Sequence, residues 1–239
     1  MTPLHLGACI DRFVEAPLVH ASDLPGARSL TPDGAGHLLV GGVSGLWRID
    51  AAGVVLLQSK EPVVAVTAHP GRVYTLGVDL LSWEGGAMAT PGAVDAVAAW
   101  NGEVWVAGSA GLVRVDPVAL TSVPVAGGPS GLRSLALGPD RTVLALGASQ
   151  LQAFGVDGTE QWVVAGLSDA RAAATDETGR VWIAQRGGLW RVEGPDLVLG
   201  SSFVEHVADL HFGPGARFPS RHLYIANPDG TLDWLRPGP

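Results

Sequence analysis

The chain has 239 residues, of which 47% are hydrophobic and 16% charged, so it carries enough apolar material for a substantial core. Its 33 glycines and 17 prolines separate dense apolar runs, which indicates many turns rather than disorder. The formal net charge of −8 argues against a nucleic-acid-binding protein and against an anionic membrane as a partner.

The cysteine content and the N-terminal residues indicate the cellular compartment. Cys9 is the single cysteine, so an intrachain disulfide and a cysteine-based metal site are both excluded. The run "LGAC" (Leu6–Cys9) has the small residues of a lipoprotein cleavage box, but no apolar region of signal-peptide length precedes it. We therefore expect a cytoplasmic protein; a lipoprotein would require a start upstream of Met1.

Similar apolar runs recur along the chain, and they predict the fold. "LLVGG", "VWVAG" and "VWIAQ" are three of them. Successive runs are separated by 31 to 42 residues, a period typical of solenoids and propellers. The six runs begin at Leu38, Val73, Val104, Val143, Val181 and Leu223.

Taken in chain order, the elements are strands separated by glycine-containing breaks. Residues 12–21 form an extra strand-like segment before the first full unit. The fourth unit predicts four strands, namely Leu132–Leu137, Val143–Leu146, Leu151–Phe154 and Gln161–Val164. The last unit has only three. The sequence thus predicts an all-β, six-bladed propeller in one domain over residues 1–239, with the segment 12–21 completing the last blade.

The units "ARSLTPDGAGHLLVGGVSGLWRID" and "ARAAATDETGRVWIAQRGGLWRV" resemble two-component-regulator propeller repeats. They are also similar to NHL and SMP-30/gluconolactonase repeats. The last resemblance implies a metal-dependent lactonase, with a divalent cation such as calcium held in the central channel by Glu, Asn and Asp side chains. Glu15, in "VEAPL", is similar to the glutamate of that family's Glu-x-Pro signature, although our strand assignment places it on the outer closing strand.

The start of each innermost strand supplies the first candidate site. Arg28, Arg133 and Arg171 each lie ten residues before a run, and Asp95 and Asp209 fall near the same register. These five residues would form a ring around the channel mouth. They could form inter-blade salt bridges. Alternatively, they could form an anion site, since the guanidinium group of arginine binds carboxylate and phosphate well. A ring this cationic argues against a metal at the same level.

A second cluster lies in "EHVADLH", where Glu205 and His206 precede Asp209. A Glu or His beside a carboxylate could act as a general base or a metal ligand, and the alternative is a surface-loop histidine without a role. Strand alternation places Asp209 and His211 on one face. Loops on the same side of the ring bring further polar residues to the mouth, namely Asp169, Gln185, Arg186 and Asn227.

No catalytic residue is identified, because the chain contains no Gly-x-Ser-x-Gly, P-loop or dinucleotide-binding motif. We expect a non-catalytic binding or interaction module without a cofactor, which recognises a small anionic ligand or an acidic protein partner at the channel mouth. The alternative is the metal-dependent hydrolase described above. We expect a monomer or a subunit of a larger assembly.

Overall fold

The computed structural model describes residues 18–21, 23–50, 53–58, 61–69, 72–100, 102–202, 204, 206–213, 218 and 221–236. These residues form six four-stranded antiparallel sheets, and the fold is the all-β, six-bladed propeller that the repeats predict. The predicted runs lie in the second strand of every sheet. A single turn of 3₁₀-helix, Pro139–Arg141, is the one helical segment in these ranges.

The first three blades follow the chain without interruption. Blade 1 contains β2 (Ala27–Pro32), β3 (Leu38–Gly42), β4 (Gly45–Asp50) and β5 (Gly53–Gln58). Blade 2 contains β6 (Ala65–His69), β7 (Arg72–Leu76), β8 (Leu80–Trp83) and β9 (Gly86–Ala89). Blade 3 contains β10 (Val94–Trp100), β11 (Glu103–Gly108), β12 (Gly111–Asp116) and β13 (Thr121–Val125).

Blades 4 and 5 repeat this pattern, and blade 6 differs. Blade 4 contains β14 (Leu132–Leu137), β15 (Val143–Gly147), β16 (Gln150–Phe154) and β17 (Glu160–Ala165). Blade 5 contains β18 (Ala172–Thr175), β19 (Val181–Gln185), β20 (Gly188–Glu193) and β21 (Asp196–Ser201). Blade 6 combines β22 (Asp209–Phe212), β23 (Leu223–Ala226) and β24 (Leu232–Leu235) with β1 (Leu18–Ala21) from the start of the chain.

Closure of the ring by the N-terminal strand is confirmed. Strand β1 pairs antiparallel with β24, with Leu18 opposite Trp234 and Ala21 opposite Leu232. The predicted closing segment began at residue 12, and its part before Leu18 lies outside the described residues. Because β1 covers the free edge of β24, blade 6 has the same number of strands as the others.

The core lies between the blades. Second strands such as β3, β15 and β19 are buried along their whole length because neighbouring blades cover both of their faces. Trp105 of blade 3 packs on Phe154 of blade 4, with ring centroids 6.5 Å apart, and Trp182 of blade 5 packs on Phe212 of blade 6 at the same distance. Trp105 and Trp182, which occupy matching positions in β11 and β19, therefore pack blade against blade.

Candidate functional site

Arginines do stand at the mouth of the channel, at one repeated backbone position. Inner strands β2, β10 and β14 each show a register shift at their start, and the residues at these shifts are Arg28, Asp95 and Arg133. Arg171 directly precedes β18 and donates its backbone N–H to Ala184, in the second strand of the same blade. All four side chains are exposed. A bulge at a strand end re-aims a side chain, and here it holds Arg28, Asp95 and Arg133 at the rim.

Asp209 does not belong to this set. Ala208 donates its backbone N–H to Ala226, just as Arg171 does to Ala184, so Ala208 is the blade 6 counterpart of Arg171. Asp209 lies one residue further into the channel. Asp209 is therefore near the register of Asp95, but one residue away from it. The link between β22 and β23 spans residues 213–222 and is longer than in blade 4, so counting back from Leu223 misplaces the strand start.

Asp209 ties the last blade to the first. Its carboxylate accepts the backbone N–H of Leu30, in β2, at 2.7 Å and that of Leu210 at 2.9 Å. Ser29 in β2 also hydrogen-bonds it. The side chain keeps some exposure to the channel, but the surrounding protein desolvates the carboxyl and raises the pKa of Asp209 to about 7. Its contacts make it part of the seam that closes the ring.

The central channel is narrow and lined mostly by small side chains. It encloses a cavity of about 220 Å³ between the inner strands, with Asp209 and His211 both in its wall, as strand alternation predicts. His211 has its Nδ1 2.7 Å from the carbonyl oxygen of Phe212. Burial lowers the pKa of His211, so the imidazole of His211 is neutral at pH 7.

Two of the rim arginines share one carboxylate. Asp169, in the loop between β17 and β18, accepts Arg133 Nη1 on one oxygen at 2.5 Å and Arg171 Nη2 on the other at 2.7 Å. Arg133 also donates to the carbonyl of Ala170. The two arginines hold the pKa of Asp169 below its ordinary value. Residues from blades 4 and 5 thus meet in one ion-pair network, which corresponds to the inter-blade salt bridge considered from sequence.

A groove of about 700 Å³ opens beside this network, on the same face of the ring. Its basic side chains are Arg171, Arg186 and His206, which come from three different loops of blades 5 and 6 and are all exposed. Asp169 is part of the lining as well. The less polar lining comes from Ala184, Gly187, Val204, Val207 and Pro228.

Arg186 is held in place by a tight hairpin. Gln185 pairs with Gly188, which leaves Arg186 and Gly187 as a two-residue turn between β19 and β20. Gly187 has φ +88°, a left-handed conformation that glycine adopts without strain. Arg186 donates its backbone N–H to Ser168. Among the described residues, no hydrogen-bond or ion-pair partner meets its guanidinium group.

The remaining predicted rim residues have structural partners or cannot be placed. Gln185 accepts the backbone N–H of Ser168 at 2.7 Å through its side-chain oxygen. Asn227 donates to Thr231 and Asp233 within blade 6. Glu205 and Glu15 lie outside the described residues.

The groove between blades 5 and 6 was not recognisable from the sequence as one site. Its residues were named separately, as members of the ring, the "EHVADLH" cluster and the rim. The shared role of Asp169 was also missed, although its position two residues before Arg171 is a signal that could have suggested a pair.

Within the ranges described above, no three or more His, Cys, Asp or Glu side chains group together as a metal site would require. The donor set of a channel cation is thus not found in this part of the chain. The described residues also form no helix with the length and hydropathy that a membrane crossing requires.

Comparison with known proteins supports the fold alone. No family model and no curated protein matches the chain. A structural-genomics protein of unknown function from Bacteroides thetaiotaomicron is 13% identical, with a TM-score of 0.68 over 94% of this chain and 73% of its own. A chain of the mitotic checkpoint complex is 14% identical, with a TM-score of 0.70 over 99% and 96%. Streptogramin B lyase is 11% identical, with a TM-score of 0.64 over 93% and 87%. These similarities agree with the propeller repeats identified in the sequence.

Proposed function

We propose that this propeller is a binding module whose groove between blades 5 and 6 takes the acidic group of a small organic molecule or of a protein partner. The observation that carries the proposal is the convergence of Arg171, Arg186 and His206 on one concave site. Guanidinium groups recognise carboxylate and phosphate through directed, charge-assisted hydrogen bonds.

The size of the groove supports a ligand rather than a single ion. A volume of about 700 Å³ lies within the range of small-molecule pockets. The lining also includes Val207 and Pro228, so a ligand with an acidic end and a less polar body would find partners for both.

Charge distribution supports an anion in particular. The whole chain carries −8, which repels anions at long range, so an anion site depends on local positive charge in the groove. Arg186 is the lining cation with no carboxylate beside it among the described residues, whereas Arg171 and Arg133 share Asp169. Arg133 thus has a structural partner, and Arg186 is the residue that we assign first to the ligand.

The proposal is tested by titrating the purified protein with citrate and with inorganic phosphate in a calorimeter. We expect citrate to bind to the wild type and Arg186→Gln to weaken it at least tenfold, because a charge-assisted hydrogen bond contributes roughly 1.5–3 kcal/mol. Arg72→Gln is the matched control, since Arg72 is an exposed arginine in blade 2. Equal citrate affinity in wild type and Arg186→Gln, or no binding of either anion, would refute the proposal.

A further inference from the structure

Asp169 has an unusual backbone for a residue with a side chain. Its φ is +52°, in the left-handed region that asparagine and aspartate enter more readily than other non-glycine residues, though at some conformational cost. This backbone directs the carboxylate to Arg133 and Arg171 at once. The three side chains are 46%, 35% and 54% exposed, respectively, so the network stands in the open rather than in the core.

Such an arrangement contributes little to stability, because exposed ion pairs are individually weak. The geometry of the network bears on ligand binding more than on stability. One carboxylate engages two guanidinium groups from two blades through its two oxygens, which is how a planar carboxylate ligand would engage them. Asp169 and Arg171 are both part of the lining of the groove.

We propose that Asp169 competes with the ligand: its carboxylate occupies Arg171, and a carboxylate ligand entering the groove displaces it there while binding Arg186. This inference rests on the proposed function and adds two points to it. It assigns the ligand to the carboxylates, and it makes Asp169 the residue that sets the affinity of the groove for them.

The competition has a measurable consequence. A ligand must break the contact between Arg171 and Asp169 before it gains its own, and competition from an exposed ion pair lowers affinity by at most about fivefold. Asp169→Asn removes the charge of the competitor and keeps a side chain that tolerates the left-handed backbone. We therefore expect Asp169→Asn to bind succinate about two- to fivefold more tightly than the wild type.

Two controls separate competition from a general gain in positive charge. Asp157→Asn changes net charge equally at an exposed turn of blade 4, where Asp157 accepts from Thr159, and should leave succinate affinity unchanged. Succinamide, the neutral analogue, should bind to none of the variants.

The decisive experiment combines calorimetry of these variants with a crystal structure of the wild type soaked in succinate. Competition predicts tighter binding by Asp169→Asn and a succinate carboxylate on Arg171 Nη2, the atom that is now 2.7 Å from Asp169. Succinate that binds while Arg171 stays on Asp169, or a variant with unchanged or lower affinity, would overturn this inference and leave the proposed function standing. Failure of citrate, phosphate and succinate to bind to any variant would overturn both.

Discussion

Asp209 shows how one buried acid in the wall of the ring links stability to pH. Its pKa is about 7 in the fold against an ordinary value of 3.8, and desolvation is the largest cause. Between these two values the native state holds the proton more tightly than the unfolded chain does. The free energy of unfolding should therefore fall as pH rises from about 4 to 7, and become independent of this group above pH 7.

This behaviour gives a prediction for Asp209→Asn. The wild type should lose more thermal stability than the variant between pH 5 and pH 8, because the variant has no proton to release. Buried His211, whose pKa is lowered, contributes a slope of the opposite sign below pH 6.5 in both proteins, so it cancels in the comparison. Thermal unfolding followed by circular dichroism at both pH values measures the difference. Parallel pH profiles for the two proteins would contradict a raised pKa of Asp209 in the folded state.

At the residue scale, the sequence predicted the positions of single side chains well but did not predict which side chains meet between blades. Arg28 and Arg133 lie at the same register shift of β2 and β14, in agreement with their equal spacing from the apolar runs. The contact between Arg133 and Asp169 could not be assigned, because it joins a strand of blade 4 to a loop 36 positions further along the chain. Linear spacing fixes a position within a repeat, but it does not contain the twist and separation of the blades that decide which side chains meet.

At the scale of the elements, the periodicity of the apolar runs was sufficient to predict the strands. The four strands predicted in blade 4 differ from the observed ones by at most one residue at either end. Second strands are buried on both faces, so they appear as continuous apolar runs that are easily recognised. The start of β22 does not follow from the repeat period, because hydrogen bonding to β23 sets its register, whereas the loop between the two strands is longer than in blade 4.

A second prediction concerns the closing strand, β1. Removing residues 1–21 deletes β1 and exposes the edge of β24, so blade 6 loses a quarter of its strands. We expect a melting temperature lower by many degrees and faster proteolysis in blade 6. Thermal unfolding together with limited proteolysis measures both effects.

A permuted chain provides the control for this deletion. It begins at Asp23 and carries residues 1–21 on a glycine-serine linker after Pro239. Strand β1 runs antiparallel to β24, with Leu18 opposite Trp234, so the linker joins neighbouring strand ends. This chain should regain most of the parent's melting temperature. A deletion variant that melts like the parent would contradict closure by β1.

At the scale of the whole molecule, the propeller is a rigid ring that brings loops from different repeats to one face. Inner strands contact each other in cyclic order, and β22 meets β2 to complete the circle. The loops before the inner strands and the β19–β20 turn therefore converge, although their residues are far apart in sequence. In an acidic chain, this convergence gathers Arg171, Arg186 and His206 into one groove.

The claim that this groove binds an anion is tested most directly by mapping the site on the whole protein. Amide chemical shifts of nitrogen-15-labelled protein would be followed during a citrate titration, in the wild type and in Arg186→Gln. The account predicts saturable changes confined to Ser168–Arg171, the Gln185–Gly187 turn and His206, which require at least tenfold more citrate in the variant. Changes centred on other blades, or changes at the same citrate concentrations in Arg186→Gln, would contradict it.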